Sequence, residues 1–456
     1  MDIAISKLVR SWANTSGNVY STADILAWIE QLNRTVNVSL KKIDLSECDN
    51  WYYNDQAGEI RHRNNIFFQI AGFRQWNNDK LECEQPIVLQ HGIGYLGIIC
   101  KEIDGVLNFL MQAKIEPGNV NRIQISPTIQ ATLSNFTQRH GGEKPKYLEY
   151  FLDANRYQII VDQIQSEQAS RFLKKRNRNI IIKVDEEIEI FPTFRWMTIG
   201  QIKELMKQDN IVNMDTRTVL SCIPFYQAKD IQESLFHDKP LYHSLFNSDE
   251  FDFPSIYYYI NNYKMYHKIE CSLIPLYSLT NWHMDNHEFV CKYPNNFKVV
   301  FCDINIEGRE VIHWTQPLLE AIGQATFGLI TCVKNGVRRF VVKACHEVGS
   351  FDKIELGPSV QLEPNYSRGN LDEVARILFD KLEKNQGILC DVVLSEEGGR
   401  FYHEQNRNII VEVDTDELKQ LPDGYFLTDY KTLNLMTQIN DCLNIQLRNL
   451  LSLLEV

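Results

Sequence analysis

The chain has 456 residues, 44% hydrophobic and 23% charged, with a formal net charge of −12. That length leaves room for two or three domains, each with its own core, and the acidic balance argues against broad binding to nucleic acid or to an anionic membrane surface. No apolar run approaches the roughly 18 residues of a membrane span, and Met1 to Trp12 lacks the apolar core of a signal peptide.

The 11 cysteines are odd in number and include no CxxC pair. They fit reduced thiols of a cytoplasmic protein better than a disulfide framework or a zinc site. Residues 1–35 are expected to be helical, because Ile5, Leu8, Val9 and Trp12 fall on one stripe. A repeat follows over 36–226, then a polar and aromatic connector over 227–275, then a second repeat over 276–456. The connector holds Phe253-Pro254 and Tyr257-Tyr258-Tyr259, and is expected to be ordered.

The duplication emerges on shifting the numbering by 231: Gln85-Pro86 falls on Gln316-Pro317, Trp51 on Trp282, and Gly97, Gly105 and Gly118 on Gly328, Gly336 and Gly349. Pro127-x-x-Gln130 falls on Pro358-x-x-Gln361. At a shift of 229, Ser166-Glu167 meets Ser395-Glu396, Arg171 meets Arg400, and Asn177-Arg178-Asn179 meets Asn406-Arg407-Asn408. A period this long is domain duplication, not a solenoid.

Within each repeat strands come first and helices last. Leu107 to Glu116 alternates, with Leu107, Phe109, Met111, Ala113 and Ile115 on one face and Asn108, Gln112, Lys114 and Glu116 on the other with Leu110. Ile123 to Thr132 alternates too, and Pro127 within it predicts an edge strand or a bulge. Ile388 to Ser395, Gly398-Gly399 and Arg400 to Val413 read as a hairpin with a tight turn. The fold class is α+β, a mixed sheet with flanking helices, present twice.

Four segments hold the candidate chemistry. Gln112, Lys114 and Glu116 put an amide, an ammonium and a carboxylate on one strand face, beside Gln130 and Thr132 of the next; a solvated sheet face is the plain alternative. Glu116 recurs as Glu347 and Gln130 as Gln361, which favours a ligand cleft. Ser166 to Asn179 carries Glu167 and a basic run in which Arg171 and Arg178 recur and the general basicity does not. Arginine's forked donors suit phosphate, whereas a charge run alone is usually a solvated face. Ser134 to Gly142 carries Asn135 and His140 before two glycines, a loop suited to bring an acid or base over a pocket, with an ordinary exposed loop as the plain alternative. Asn213 to Arg217 is a fourth segment, where the recurrence of Arg217 as Arg448 admits a structural ion pair.

Val106 to Gly118 (VLNFLMQAKIEPG), Ile123 to His140 (IQISPTIQATLSNFTQRH), Ser166 to Asn179 (SEQASRFLKKRNRN) and Asn213 to Ser221 (NMDTRTVLS) resemble the NDP-hexose 2,3-dehydratase family, and the likeness extends over essentially the whole chain. The resemblance implies tandem Nudix-like domains, a homodimer, and no metal and no cofactor. It implies a dTDP-4-keto-6-deoxyglucose or related NDP-sugar substrate, and a 3-ketoreductase that takes the product. Neither half contains the Nudix box that supplies magnesium-binding glutamates, and His91-Gly92 stands where members commonly show a glutamate.

The chemistry so implied needs a base at C3, an acid at the C2 hydroxyl and donors at the C4 oxygen. His140 and Glu167 are the candidate acid/base pair, with Lys114 at the C4 oxygen and Glu116 as an alternative base. Arg171, Arg176 and Arg178 are assigned to the diphosphate, Gln112, Gln130, Thr132 and Asn135 to sugar hydroxyls, and Trp51 to the nucleotide base, although a repeated tryptophan is more often core. Trp282, Lys343, Glu347, Gln361, Glu396 and Arg400 would form a second-repeat pocket. Lys114, Thr132, His140 and Arg176 are not repeated, which places the working pocket in the first repeat. A Nudix-type NDP-sugar hydrolase and an inactive sugar-nucleotide binder are the alternatives.

Overall fold

The computed structural model describes residues 2–65, 67–136, 144–248, 252–307 and 311–455. Two helices open the chain, Asp2–Ala13 and Thr22–Thr35. Ile5, Leu8, Val9 and Trp12 of the first are buried in the main core, as their spacing predicts. Ser21 caps the second: its hydroxyl accepts the Asp24 N–H, and the Asp24 carboxylate accepts the Ser21 N–H.

Each repeat then builds a five-stranded and a seven-stranded sheet, with helices packed on them, an α+β architecture. In the first repeat the larger sheet runs Gln158–Ser166, Arg176–Lys183, Gly94–Ile103, Val106–Ile115, Phe194–Met197. Arg176–Lys183 lies parallel to Gly94–Ile103, and the other pairings are antiparallel. Leu107, Phe109, Met111 and Ala113 enter the main core, while Leu110 enters a separate cluster with Ile99 and Phe151 on the opposite face.

Pro127 does more than mark an edge. It splits the predicted strand into Ile123–Ser126, which pairs with Val106–Ile115, and Ile129–Ala131, which pairs with Gly94–Ile103. At the split the Thr128 hydroxyl donates to the Leu110 carbonyl at 2.5 Å and accepts the Ile99 N–H at 2.9 Å. The two central strands pair with each other only over Cys100–Ile103 and Val106–Phe109, and the split segment fills the gap beyond. Ser359 does the same between Ile330 and Val341 in the second repeat.

The halves are interlocked. Val38–Ile43 pairs with Phe297–Ile306 of the second repeat, and its counterpart Ile269–Ile274 pairs with Gln69–Asn77 of the first. Each half thus lends a strand to the other's five-stranded sheet. The segment before Ile269 is ordered where described, with helices Lys239–Phe246 and Phe253–Tyr266.

The closing helices Met214–Ser221 and Ile445–Ser452 pack on each other. From them Arg217 donates to the Ser395 carbonyl at 2.7 Å, and Arg448 donates to the Ser166 carbonyl. The recurrence of these buried arginines therefore reports a cross-repeat clasp, not an ion pair. Removing either would leave buried carbonyls unbonded, at a cost of about 1–3 kcal/mol each.

Gly398-Gly399 lies at the centre of a turn, with the Arg400 N–H donating to the Glu397 carbonyl at 3.2 Å, but that turn does not close a hairpin. The strands Ile388–Ser395 and Gln405–Glu412 do pair, but residues 396–404 between them cross to the first repeat. Gly118 N–H donates to the Gly398 carbonyl at 2.8 Å and the His403 N–H to the Gly118 carbonyl at 3.0 Å. A Cβ on Gly118 would lie 1.6 Å from the Phe401 carbonyl oxygen, so the close approach requires glycine. Residues 167–175 cross in the other direction, and Lys174 N–H donates to the Gly349 carbonyl at 2.8 Å.

Candidate active site

The crossed loops shape a cavity of about 780 Å³ between the halves. Gln112, Lys114, Glu116, Gln130, Thr132 and Glu167 of the first repeat line it, and Glu397, Gly399 and Arg400 of the second repeat's loop enter from the other side. Trp51, Phe67, Phe68 and Trp314 make an aromatic flank. An adjoining cavity of about 430 Å³ shares Phe67, Phe68, Gln90, Thr132 and Arg400 with it.

The strand face positions the polar groups as alternation requires. Lys114 Nζ lies 3.3 Å from Glu116 Oε1 and donates to the Gln130 carbonyl at 3.4 Å. Gln130 donates to Glu116 at 3.0 Å and accepts from Asn213 at 3.1 Å, and Asn213 also caps the closing helix by accepting the Thr216 N–H at 2.9 Å. The same knot recurs as Glu347, Gln361 and Asn444. Glu116 and Gln130 are thus repeated because they anchor a helix N-terminus.

Around this knot the cavity collects buried charge. Glu167 accepts from Asn177 at 2.6 Å, and its other oxygen is buried without a partner. Burial raises its pKa, opposed in part by Lys175 and Arg448. Asp215, in the first turn of the closing helix, is 2% exposed. Burial, then ionised Glu167, Glu397 and Glu116, hold its carboxyl well above the usual range. Burial and Glu116 push Glu397 up to about 8. Burial brings Lys175, which donates to the Gly92 carbonyl at 2.7 Å, down to about 8.

Near neutral pH such a site holds carboxyl groups that keep a proton and an amine that readily loses one, the equipment for proton transfer. Arg400 stacks on Phe68 at 4.4 Å and donates to Gln90 and to the Gly399 carbonyl, at 3.2 and 2.7 Å. Among the described residues no carboxylate pairs with it, so the guanidinium is available to an anion.

The arginines of the first repeat are placed otherwise than the sequence predicts. Arg178 makes a two-pronged pair with Asp162, at 2.6 Å on each prong, as Arg407 does with Asp391. Arg176 lies 3.6 Å over the Phe351 ring and 3.4 Å from Asp441. Arg171 is carried by its crossing loop into the second half, over Phe297 and 2.9 Å from Glu363. None of the three lines the cavity, and Arg400, expected in a second-repeat pocket, enters it instead.

Trp51 is 4% exposed and packs on Phe68, with an edge on the cavity. Trp282 is core, stacked on Phe289, and its indole donates to the Glu84 carbonyl. Lys343 is at the surface beside Asp372. Glu396 is buried and accepts from Asn406 at 2.7 Å. Asn135 falls in the helix Leu133–Phe136, but its side chain and all of His140 lie outside the described residues.

The second repeat's equivalent position is filled with acid. Cys345 stands where Lys114 does, Gln446 for Asp215, Glu404 for Lys175, Gln168 for Glu397 and Glu363 for Thr132. Arg171 is thereby ringed by Glu363, Glu396 and Glu404. The sequence reading singles out neither Lys175 nor Glu397, and it holds Asp215 in the fourth segment without a role: Lys175 reads as one charge in a basic run, and Glu397 sits in the other repeat. Their loss between copies was visible, and it is the signal that would have found them.

The chain matches the sequence model for NDP-hexose 2,3-dehydratase over residues 22–223 and again over 254–454. It is 34% identical over 458 residues to a dTDP-4-dehydro-6-deoxy-alpha-D-glucopyranose 2,3-dehydratase of Saccharopolyspora spinosa, covering 98% of this chain and 94% of that one. It is 35% identical to an enzyme of the same name from Amycolatopsis orientalis, covering 98% and 93%. A third, from Streptomyces violaceoruber, is 34% identical over 95% of this chain and 97% of its own.

Proposed function

The chain belongs to the NDP-hexose 2,3-dehydratase family, and we infer that it is a hydro-lyase that removes the C2 hydroxyl of dTDP-4-keto-6-deoxy-D-glucose as water. The observation that carries this reading is the inter-repeat cavity, where acids, a lysine and an unpaired guanidinium meet beside an aromatic flank. The C4 ketone acidifies the C3 proton. A base takes it, the enolate expels the C2 oxygen with the help of an acid, and the enol so formed tautomerises to the 3,4-diketo-2,6-dideoxy sugar.

We assign Lys114 to the C4 oxygen and Glu167, with His140, to proton transfer, with Glu116 as an alternative base. Arg400 and Lys175 take the diphosphate in place of Arg171, Arg176 and Arg178. Gln112 and Thr132 take sugar hydroxyls with Gln130 bracing them, Asn135 keeps the same role on the sequence alone, and Trp51 and Trp314 flank the nucleotide base. The mixed sheet with a central parallel pair and a closing helix supports reading each half as Nudix-like. Exposed Tyr258, Met265 and Tyr266 fit a homodimer contact, free thiols fit a cytoplasmic setting, and the diketone calls for a 3-ketoreductase.

The test is incubation of the protein with dTDP-4-keto-6-deoxyglucose and a 3-ketoreductase, followed by mass spectrometry. Loss of one water from the sugar nucleotide is expected. Release of nucleoside monophosphate that depends on magnesium would support a Nudix-type hydrolase instead.

A further inference from the structure

Five carboxyl side chains line the cavity, and hydrogen bonding sorts the four that are not exposed, Asp49 being at the surface. Glu116 has Lys114 and Gln130, Glu167 has Asn177, and Glu397 accepts the Gly399 N–H at 3.0 Å. The Asp215 carboxyl, almost wholly buried, receives no hydrogen bond from any described residue. A carboxylate needs donors to be stable away from water, so the group without them is the one that holds its proton.

The internal duplication adds an independent observation. Where the second repeat has lost Lys114 and Lys175, Asp215 is matched by Gln446 and Glu397 by Gln168. Both counterparts are amides: polar, but unable to give up a proton at neutral pH. The fold accepts an amide at each place, so what the carboxyls add is protons.

We propose that Asp215 is the catalytic acid that protonates the departing C2 hydroxyl, and that Glu397, lent by the second repeat, is the positioning residue that keeps Asp215 protonated. The inference rests on the dehydratase reading. After a base has broken the C3–H bond, electrons of the enolate form the C2–C3 double bond and the C2–O bond breaks. The Asp215 O–H bond breaks in the same step, and its proton leaves with the C2 oxygen as water. Asp215 is left as a carboxylate beside ionisable Glu397 and Glu167, whose charge favours its reprotonation. Lys114 and Lys175 in the same cavity, and buried Arg217 on the same helix, set the opposing field.

The decisive variant is Asp215→Asn, followed by NMR in deuterated buffer with dTDP-4-keto-6-deoxyglucose. Water elimination should fall by about a hundredfold or more, while deuterium still enters C3 of unreacted substrate and dTDP affinity is retained. Elimination at the wild-type rate would overturn the proposal. So would loss of C3 exchange together with elimination in a variant that still binds dTDP, since Asp215 would then be serving the proton-abstraction step. Glu397→Gln should move the alkaline limb of kcat to lower pH, because removing a like charge makes Asp215 easier to ionise; an unmoved limb would remove Glu397 from the account. If the wild-type protein neither exchanges C3 hydrogen nor eliminates water, the dehydratase reading itself fails.

Discussion

The cavity on the first repeat and the equivalent position of the second descend from one plan and differ in what their arginine meets. Arg400 lies 4.4 Å over Phe68 and faces Thr132, whereas Arg171 lies 4.4 Å over Phe297 and faces Glu363. One guanidinium is left for a ligand and the other is neutralised inside the protein. Two positions, Thr132 and Lys175 in one copy and Glu363 and Glu404 in the other, separate an anion site from a closed ion cluster. Because the loops cross, each of these positions is also completed by the opposite half. The second repeat is therefore still needed for Glu397 and Arg400.

The largest difference should come from the lysine. Lys114→Ala is expected to lower kcat by about two to four orders of magnitude, while Lys343→Ala, at a surface pair with Asp372, leaves turnover unchanged. Equal losses in both would erase the asymmetry. Next come the arginines. Arg400→Met should raise KM by about 10–100-fold through loss of a charge-assisted contact. Arg171→Met should instead cost roughly 3–5 kcal/mol of stability, because Glu363 would lose its ion pair and Glu404 its neighbouring cation. Denaturant titration and steady-state kinetics on both variants separate the two outcomes.

The smallest effect is on pH dependence. Burial raises Glu404 to about 8 and Glu355 to about 7, far above an unfolded glutamate near about 4.3. Groups raised in this way stabilise the fold fully below the unfolded pKa, and that contribution is lost as pH rises to the folded one. Thermal stability should therefore decline between about pH 4 and 8 for this reason. Glu404→Gln should flatten the decline, raising Tm at pH 8 and leaving it nearly unchanged at pH 4. A parallel curve would show that Glu404 ionises without strain.

Much of this plan was legible in the sequence, because local patterns follow backbone geometry. The helical stripe of Ile5 to Trp12, the alternation through Val106–Ile115 and the duplication all follow from periodicity and spacing. What stayed hidden depends on which chain segments cross. Nothing local to Val38–Ile43 says that it pairs with Phe297–Ile306, and nothing local to Gly398-Gly399 says that the segment leaves its own repeat. Arg171 and Arg400 were rightly seen as equivalent and wrongly placed, each in its own half. Repetition carries a scaffold meaning at some cavity residues: Glu116 and Gln130, which line the cavity, and Arg217 beside it recur because they hold the scaffold, whereas Lys175, Asp215 and Glu397 line the cavity and do not recur.

The central claim is that one working cavity lies on the first repeat and is completed by the second. A crystal structure of the protein with bound dTDP tests it most directly. The diphosphate should lie against Arg400 and Lys175, with the base toward Trp51 and Trp314. A diphosphate bound by Arg171 in the second repeat, with Arg400 uncontacted, would contradict the account.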